Sequence, residues 1–241
     1  RDWKSLGVDY VVVGELSFGR DNNLVARYEL LDVNTQRSIL QGEESQSFDK
    51  VRFLAHTISD RIYEKLTNVR GAFRTQLLYV SAVREGDNRF RYRLLKSDID
   101  GVGEEVLADS MEPILAPTWS PDGKNIAYVS FRTTRPAIYL HNLQTGQRKQ
   151  LTNFRGLNGA PAFSPDGKQL AMVLSKDGSP DIYVMDLASQ SLKKVTNHFA
   201  IDTEPAWAPD GKSIYFTSDR GGKPQIYRVE LASGSVERVT F

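Results

Sequence analysis

Cysteine is absent from this 241-residue chain, which excludes a disulfide framework and a thiolate metal site. Long apolar runs are absent too, and none approaches the roughly 18 residues that a membrane-spanning helix needs. Neither sign of charge predominates, because 31 Lys and Arg residues accompany 30 Asp and Glu residues. The net charge of +1 gives no strong field that would favour nucleic acid or an anionic membrane. We therefore expect neither partner and no membrane span.

One six-residue motif recurs three times without a gap. It consists of an aromatic residue, a small residue and Pro-Asp-Gly-Lys, and its prolines at 121, 165 and 209 are 44 residues apart. Two residue pairs keep the same spacing: Ile138-Tyr139, Ile182-Tyr183 and Ile226-Tyr227, then Leu151-Thr152, Val195-Thr196 and Val239-Thr240. A repeat of this length with β-type sequence is typical of one propeller blade.

Each repeat is predicted to form four short strands. In the repeat that contains Pro165, they cover residues 161–163, 170–174, 182–187 and 193–195, separated by turn-forming residues. The aromatic residue of each motif, Trp119, Phe163 or Trp207, is expected to lie between neighbouring blades. A degenerate repeat that has lost its Pro-Asp-Gly turn precedes these three. The sequence thus predicts an all-β propeller of four-stranded blades over residues 71–241, with about four blades.

Residues 1–70 lack the repeat and are predicted to form a partial N-terminal α/β domain. Strands are expected at residues 8–16, 24–31 and 38–43, the first two as a hairpin. A helix follows, because apolar side chains then fall on one helical face: Val51, Leu54, Ala55, Ile58, Ile62 and Leu66.

The ends of this helix have candidate capping residues. Ser47 or Asp49 is expected to cap its start, and Gly71 to end it. The chain itself begins at Arg1 in mid-pattern and stops at Phe241 directly after a repeat closes. Both termini are therefore interpreted as cuts in a longer protein.

Catalytic and metal-binding patterns are scarce. There is no Gly-x-Ser-x-Gly nucleophile elbow, and His56, His141 and His198 have no partner at a spacing that suits zinc. Asp98-x-Asp100-Gly101 resembles the start of a calcium loop, but the motif is incomplete and a polar β-turn is favoured. We predict no catalytic residue, no metal ligand and no cofactor.

Two other charged patterns have ordinary structural explanations. Asp122, Asp166 and Asp210 recur identically in the repeats, so they are interpreted as turn residues that bond their own backbone. Four arginines at positions 84, 89, 91 and 93 alternate with aromatic residues, which is a pattern found in nucleic-acid-binding surfaces. Alternation with a period of two also describes a strand with one polar face, and the near-neutral charge favours the strand.

The segments before two of the Pro-Asp-Gly strands are candidate binding loops. Residues 157–160 and residues 201–204 have the same phase in adjacent repeats, which places both at one end of the propeller. Propeller ends bind partners because loops there are held on a rigid scaffold. The same segments could equally be simple connectors, and phase alone does not decide between the two.

Several segments together resemble the TolB family, the periplasmic components of the Tol-Pal cell-envelope system of Gram-negative bacteria. The resemblance extends over the whole chain. Its most specific part is Gly-Ala-Phe-Arg-Thr at residues 71–75, directly after the predicted helix. Further matches lie at residues 6–14, 56–67 and 158–167.

The resemblance implies an N-terminal α/β domain, a six-bladed propeller and no catalysis. It further implies a periplasmic scaffold that docks Pal, the peptidoglycan-associated lipoprotein, at one mouth of the propeller. Pal would thereby be linked to TolA, in support of outer-membrane integrity and cell division. TolA would be contacted through an extreme N-terminal segment that this chain lacks, and colicins would exploit the same propeller surface.

The resemblance also implies a Pal-binding set of six residues: Leu157, Asn158, Gly159, Ala160, Thr203 and Glu204. Position 157 departs from the family pattern, in which histidine is expected: leucine keeps apolar contact there and loses a hydrogen-bond donor. A rival interpretation is the gating propeller of a serine peptidase, whose hydrolase domain would lie outside this chain. A nucleophile-elbow motif in the parent gene would favour that rival, and two further blades would favour the scaffold.

Overall fold

The computed structural model describes residues 3–19, 21, 23–87 and 89–241. The chain divides into two units. The first unit comprises Arg1–Leu77 with Ser97–Glu104, and the second comprises Leu78–Lys96 with Glu105–Phe241.

In its described residues, the first unit contains a three-stranded antiparallel sheet and one α-helix. The strands are β1 (Tyr10–Phe18), β2 (Asn23–Asp32) and β3 (Arg37–Ser47), in that order, and the helix is α1 (Val51–Thr67). Strands β1 and β2 pair in continuous register, with Tyr10 opposite Asp32 and Phe18 opposite Leu24. The predicted hairpin, third strand and helix are therefore confirmed, although β1 begins and ends two residues later than expected and β3 runs further.

Helix α1 packs less of its surface than its apolar pattern suggests. Leu54 is buried against Leu24 and Ala26 of β2, with Ile58 packed beside them, whereas Val51 and Leu66 are exposed. Two polar residues of the helix, Thr57 and Asp60, are also buried. The Thr57 hydroxyl donates a hydrogen bond to the Phe53 carbonyl, 2.7 Å away, which removes the cost of burying it.

The predicted helix caps were wrong at both ends. A short 3₁₀ turn, Phe48–Lys50, precedes α1, so Lys50 occupies the N-cap position and no side chain caps the helix. At the other end, Asn68 adopts a left-handed conformation with φ of 58°, and its N–H donates to the Glu64 carbonyl. Asparagine tolerates this conformation well, so the helix ends there and not at Gly71.

Gly71 has a different role, which is to let the chain pass closely over α1. A Cβ at this position would lie 2.7 Å from the Asp60 Cα. The buried Asp60 carboxylate accepts a hydrogen bond from the Phe73 N–H at 2.8 Å and another from Arg74 Nε at 2.6 Å. These contacts explain why glycine and arginine stand at their places in the Gly-Ala-Phe-Arg-Thr segment.

The second unit consists of four antiparallel sheets, which we call blades 1 to 4. Blade 1 has three strands within the described residues: β4 (Gln76–Arg84), β5 (Phe90–Asp98) and β6 (Glu105–Ser110). Blade 2 has four: β7 (Ile114–Trp119), β8 (Asn125–Ser130), β9 (Ala137–Asn142) and β10 (Arg148–Gln150). The predicted fold class, an α/β segment followed by four-stranded propeller blades, is confirmed.

Blades 3 and 4 repeat the pattern of blade 2. Blade 3 comprises β11 (Asn158–Phe163), β12 (Gln169–Leu174), β13 (Asp181–Asp186) and β14 (Leu192–Lys194). Blade 4 comprises β15 (Asp202–Trp207), β16 (Ser213–Ser218), β17 (Gln225–Glu230) and β18 (Val236–Arg238). In both blades consecutive strands are neighbours, as in a simple meander.

The repeated sequence markers are explained by repeated hydrogen bonds. The hydroxyls of Thr152 and Thr196 accept hydrogen bonds at 3.0 Å from the N–H groups of Ile138 and Ile182. The Leu/Val-Thr pair of each repeat is thus bonded to its Ile-Tyr pair. The carboxylates of the Pro-Asp-Gly turns accept the N–H of the lysine two residues later, which confirms them as turn residues.

Apolar cores fill the spaces between adjacent blades. Between blades 3 and 4, Val173 and Ile182 pack with Ile214 and Phe216, and Trp207 lies against this cluster. Equivalent clusters join blades 1 and 2 and blades 2 and 3, with Trp119 and Phe163 against them. Each aromatic residue of the repeated motif therefore lies between blades, as predicted.

His141 in blade 2 provides a test of this packing. It is buried, and desolvation first and nearby Arg148 second hold its pKa below the ordinary value. The unfolded chain therefore binds more protons than the folded chain as the pH falls below about 6.5, the ordinary histidine pKa. The stabilising contribution of neutral His141 is complete above that pH and is lost progressively below it, until the folded-state pKa is passed.

We expect His141→Met to reduce this loss of stability in acid. Met185 and Val229 occupy the equivalent positions of blades 3 and 4, so the blade accepts an apolar side chain there. Urea unfolding between pH 7.5 and pH 5 would measure the difference. Parallel pH dependence of the two proteins would contradict the burial argument.

Candidate functional site

The residues expected to bind a partner lie at one end of blades 3 and 4, which we call the docking end. In blade 3, Asn158 pairs with Leu174, and Leu174 pairs with Asp181. The start of the first strand is therefore beside the turn between the second and third strands. The Leu157 N–H donates to Ser175 Oγ at 2.7 Å, and the Ser175 N–H donates to the Leu157 carbonyl at 3.1 Å. Blade 4 repeats this register, with Asp202 opposite Ser218.

A β-bulge interrupts the first strand of each four-stranded blade. The register shifts between Leu115 and Thr118, between Gly159 and Ala162, and between Thr203 and Ala206. Ala116, Ala160 and Glu204 each lie inside a bulge with φ between 46° and 52°. Each is followed by proline, which disfavours most conformations of the preceding residue other than extended ones. Bulges and left-handed non-glycine residues are common at functional sites, because both turn a side chain to a defined direction.

The sequence suggested that both candidate segments are loops. In the structure only their first residues, Leu157 and Ile201, lie outside a strand. Asn158 to Ala160 belong to β11, and Asp202 to Glu204 belong to β15. The predicted first strand of blade 3 began at Pro161. In the structure the proline lies within the bulge, so pairing starts three residues earlier.

The six predicted docking residues differ in their accessibility. Leu157 and Glu204 are exposed, and Ala160 and Thr203 are half-buried. Asn158 and Gly159 are buried, and the Asn158 amide bonds the Phe154 and Gly156 backbone at 2.9–3.2 Å. The structure thus brings all six to this end of the blades. Asn158 holds the loop, Gly159 is buried, and the remaining four are accessible.

Blade 4 has a buried ion pair where blade 3 has the Asn158 amide. Asp202 is fully buried, and its Oδ2 accepts a hydrogen bond from Arg220 Nη2 at 2.8 Å. The Arg220 guanidinium also lies 5.2 Å from the Phe216 ring centroid and 5.0 Å from that of Tyr227. Asp202 Oδ1 has no hydrogen-bond partner among the described residues, so Arg220 is the main compensation for this buried charge.

Blade 3 has a polar network at the equivalent turn. The Tyr183 hydroxyl donates to Asp177 Oδ2 at 2.6 Å, and Lys176 Nζ lies 2.9 Å from the same oxygen. Burial and then the bond to Asp177 raise the pKa of Tyr183, while Tyr183 and Lys176 lower the pKa of the Asp177 carboxyl. The hydrogen bond from Tyr183 therefore ties the turn at Asp177 to strand β13.

Of two exposed apolar residues at this end, sequence reasoning missed Phe199 and placed Ile201 in a candidate loop without counting it among the six binding residues. Phe199 is 87% exposed and Ile201 is 51% exposed, and both lie in the connection that enters β15. The signal was available, because Ile201 has the phase of Leu157 in the preceding repeat. Phe199 has no apolar counterpart in blade 3, where Arg155 stands, and so periodicity did not reveal it.

In the first unit, folding brings His56 of α1 close to Asp98 and Asp100. His56 Nε2 lies 3.6 Å from Asp100 Oδ2 and 4.0 Å from Asp98 Oδ2, a set of side chains that could hold a metal ion. Arg52 bonds both carboxylates, at 3.3 Å to Asp98 and 2.5 Å to Asp100, so one cation already compensates part of their charge. The Gly101 N–H donates to the Asp98 carbonyl, which confirms the polar turn.

The arginine-rich segment is only partly a strand: Arg91 and Arg93 lie on β5, as favoured, whereas Arg84 ends β4 and Arg89 lies between the two strands. Residues 90–98 form β5. Arg91 pairs with Glu85 and Asp109, and Arg93 pairs with the same Asp109. Their charges are therefore balanced by carboxylates of the same blade.

Comparison with known proteins agrees with this architecture. The family model described as "TolB beta propeller domain" matches residues 63–241, and the model described as "TolB amino-terminal domain" matches residues 1–39. The Tol-Pal system protein TolB of Pseudomonas putida is 54% identical over 162 residues, which are 66% of this chain and 37% of that protein. The matched part of the chain thus spans well under half the length of this relative.

Solved structures give the same result. TolB from Acinetobacter baumannii superposes with a TM-score of 0.91 and 45% identity, over 99% of this chain and 59% of that chain. A puromycin-hydrolysing peptidase of Mycobacterium tuberculosis covers 96% of this chain and 38% of its own, with a TM-score of 0.55 and 14% identity, and shares the fold alone. Among the described residues, the one α-helix is neither long nor apolar enough to cross a membrane. The chain belongs to the TolB family.

Proposed function

We propose that this chain is a non-enzymatic, periplasmic scaffold of the Tol-Pal system that binds Pal at the docking end of blades 3 and 4. One observation supports this above all. Leu157, Ala160, Thr203 and Glu204 are accessible at the same end of adjacent blades, on strands fixed by paired neighbours and by repeated bulges. Such a surface is preorganised, which reduces the ordering cost of association.

The side chains suit close contact with a folded protein. Ala160 is small, so a partner can approach the β11 backbone closely. Thr203 offers a hydroxyl donor and acceptor, and Glu204 offers a carboxylate without an ion-pair partner among the described residues. Leu157 adds apolar surface at a position where the family pattern has histidine.

The wider role follows from family membership. The relatives named above are Tol-Pal system proteins, and the chain covers only part of their length. We propose that Pal binding here connects the lipoprotein to TolA through a further part of the protein, in support of outer-membrane integrity and cell division. Colicins would use the same surface of the propeller.

Ala160→Trp is expected to abolish Pal binding without unfolding the chain. The indole would fill the space over β11 that the partner needs. Because Ala160 also packs against the core between blades 3 and 4, stability is measured beside affinity. Calorimetric titration of the periplasmic domain of Pal would measure affinity, and thermal unfolding would report stability.

Ala160→Gly is the matched control. It keeps the space open and accepts the positive φ of 46° more readily than alanine does, so it should bind Pal as well as the unsubstituted chain. Equal affinity of the tryptophan variant and the glycine variant would reject this site.

A further inference from the structure

Phe199 exposes almost its whole ring at the docking end. Its side chain is 87% accessible, and the ring contact that the structure gives it is with His198, at 4.2 Å between centroids. A large aromatic side chain left in water contributes little to folding, because the hydrophobic gain comes from burial. The fold of blade 4 does not account for it.

The loop that presents Phe199 is tightly bonded on both sides. The His198 N–H donates to the buried Asp181 carboxylate at 3.2 Å, and the His198 carbonyl accepts from Ser179 Oγ at 2.7 Å. The Ala200 N–H donates to His198 Nδ1 at 3.0 Å, and the Ile201 N–H donates to Asp219 Oδ1 at 2.9 Å. These four hydrogen bonds fix the backbone on both sides of Phe199, so the residue does not lie in a loose segment.

The repeats supply an internal comparison. Positions 111 and 155 have the phase of position 199, and they carry methionine and arginine. The blade architecture thus forms with three unrelated side chains at this position. Phenylalanine at 199 is a property of this one connection, not a requirement of the repeat.

Phe199 is also continuous with the proposed docking site. Ile201 lies two residues further on, and Thr203 and Glu204 follow it on β15. Leu157, which has the phase of Ile201, adds a third exposed apolar side chain from the adjacent blade. Rigid aromatic residues beside smaller apolar ones form the energetic centre of many protein interfaces.

We propose that Phe199 is an aromatic anchor for Pal. The Phe199 ring inserts into an apolar pocket on the Pal surface, and Ile201 and Leu157 contact Pal beside it. The inference rests on the function proposed above and adds a specificity-determining residue to it. The partner surface must accordingly be concave and apolar where it meets the connection into blade 4.

Phe199→Ala tests this proposal. Titration of the periplasmic domain of Pal should show affinity reduced by roughly 30-fold, the effect expected of an interface hot spot. The thermal unfolding midpoint should not change, because the Phe199 ring is almost fully exposed and its ring contact is with the neighbouring His198. Phe199→Trp, which keeps an aromatic side chain, should retain most of the affinity.

Phe18→Ala is the matched control, because Phe18 is also a largely exposed phenylalanine but lies on β1 of the first unit. Its affinity for Pal should equal that of the unsubstituted chain. If Phe199→Ala binds normally while Ala160→Trp does not bind, the anchor is wrong and the proposed function stands. Equal losses of affinity in Phe199→Ala and Phe199→Trp would also reject an aromatic anchor. Absence of binding by the unsubstituted chain would overturn both proposals.

Discussion

Replacing Arg220 with methionine is expected to lower the free energy of unfolding by about 3–5 kcal/mol, the cost of leaving one partner of a buried ion pair alone. Asp202 is fully buried, and Arg220 is the cation that bonds it. Methionine retains apolar contact with Phe216 and Tyr227 but supplies no charge. The Asp202 carboxylate would then lack its main compensation.

The preceding blade suggests the compensating change. Asn158 occupies the position of Asp202 in blade 3 and is stable there without a counter-ion. We therefore expect Arg220→Met combined with Asp202→Asn to recover a large part of the lost stability. Urea unfolding of the single and double variants gives the coupling directly. Additive losses would show that the pair does not stabilise blade 4 as a unit.

Replacing Asp60 with alanine is expected to cost about 3 kcal/mol, because it leaves the Phe73 N–H and the Arg74 guanidinium without their acceptor. Burial opposes the charged form of Asp60, but the bonds from Arg74 and Phe73 outweigh it and hold the pKa of the carboxyl below its usual range. The stabilisation is therefore present above the unfolded-state pKa of about 3.9 and is lost as the pH falls through the lower folded-state value.

Glu64→Ala is the control for this substitution, since Glu64 is an exposed carboxylate on the same helix. It should change stability by no more than about 0.5 kcal/mol. Chemical unfolding at pH 7 and at pH 3 would compare the two variants. A loss at Asp60 no larger than that at Glu64 would contradict the role assigned to the carboxylate.

The blades could be predicted from the sequence because the same local interactions recur. Each Pro-Asp-Gly turn fixes a hairpin, each threonine hydroxyl bonds an isoleucine N–H, and the spacing of 44 residues places both in phase. The helix caps could not be predicted in the same way. Ser47 and Asp49 are good capping residues, but the chain forms a 3₁₀ turn before α1 and moves the N-cap to Lys50.

The candidate site was predictable only in part, for a related reason. Equivalent phase was enough to place Leu157 and Thr203 at one end of the propeller. It did not predict the β-bulges in which Ala160 and Glu204 lie. Phe199 breaks the repeat, and periodicity does not detect a residue that no other blade shares. His56 and Asp100 meet only through folding, so no spacing in the sequence indicates their contact.

The most direct test of the account is titration of the periplasmic domain of Pal into the unsubstituted 241-residue chain, with the Ala160→Trp variant beside it. Saturable binding that disappears in the variant is the expected result, and it would establish that blades 3 and 4 carry the docking site. Failure of the unsubstituted chain to bind, or undiminished binding by the variant, would contradict the assignment of Pal docking to this end of the blades.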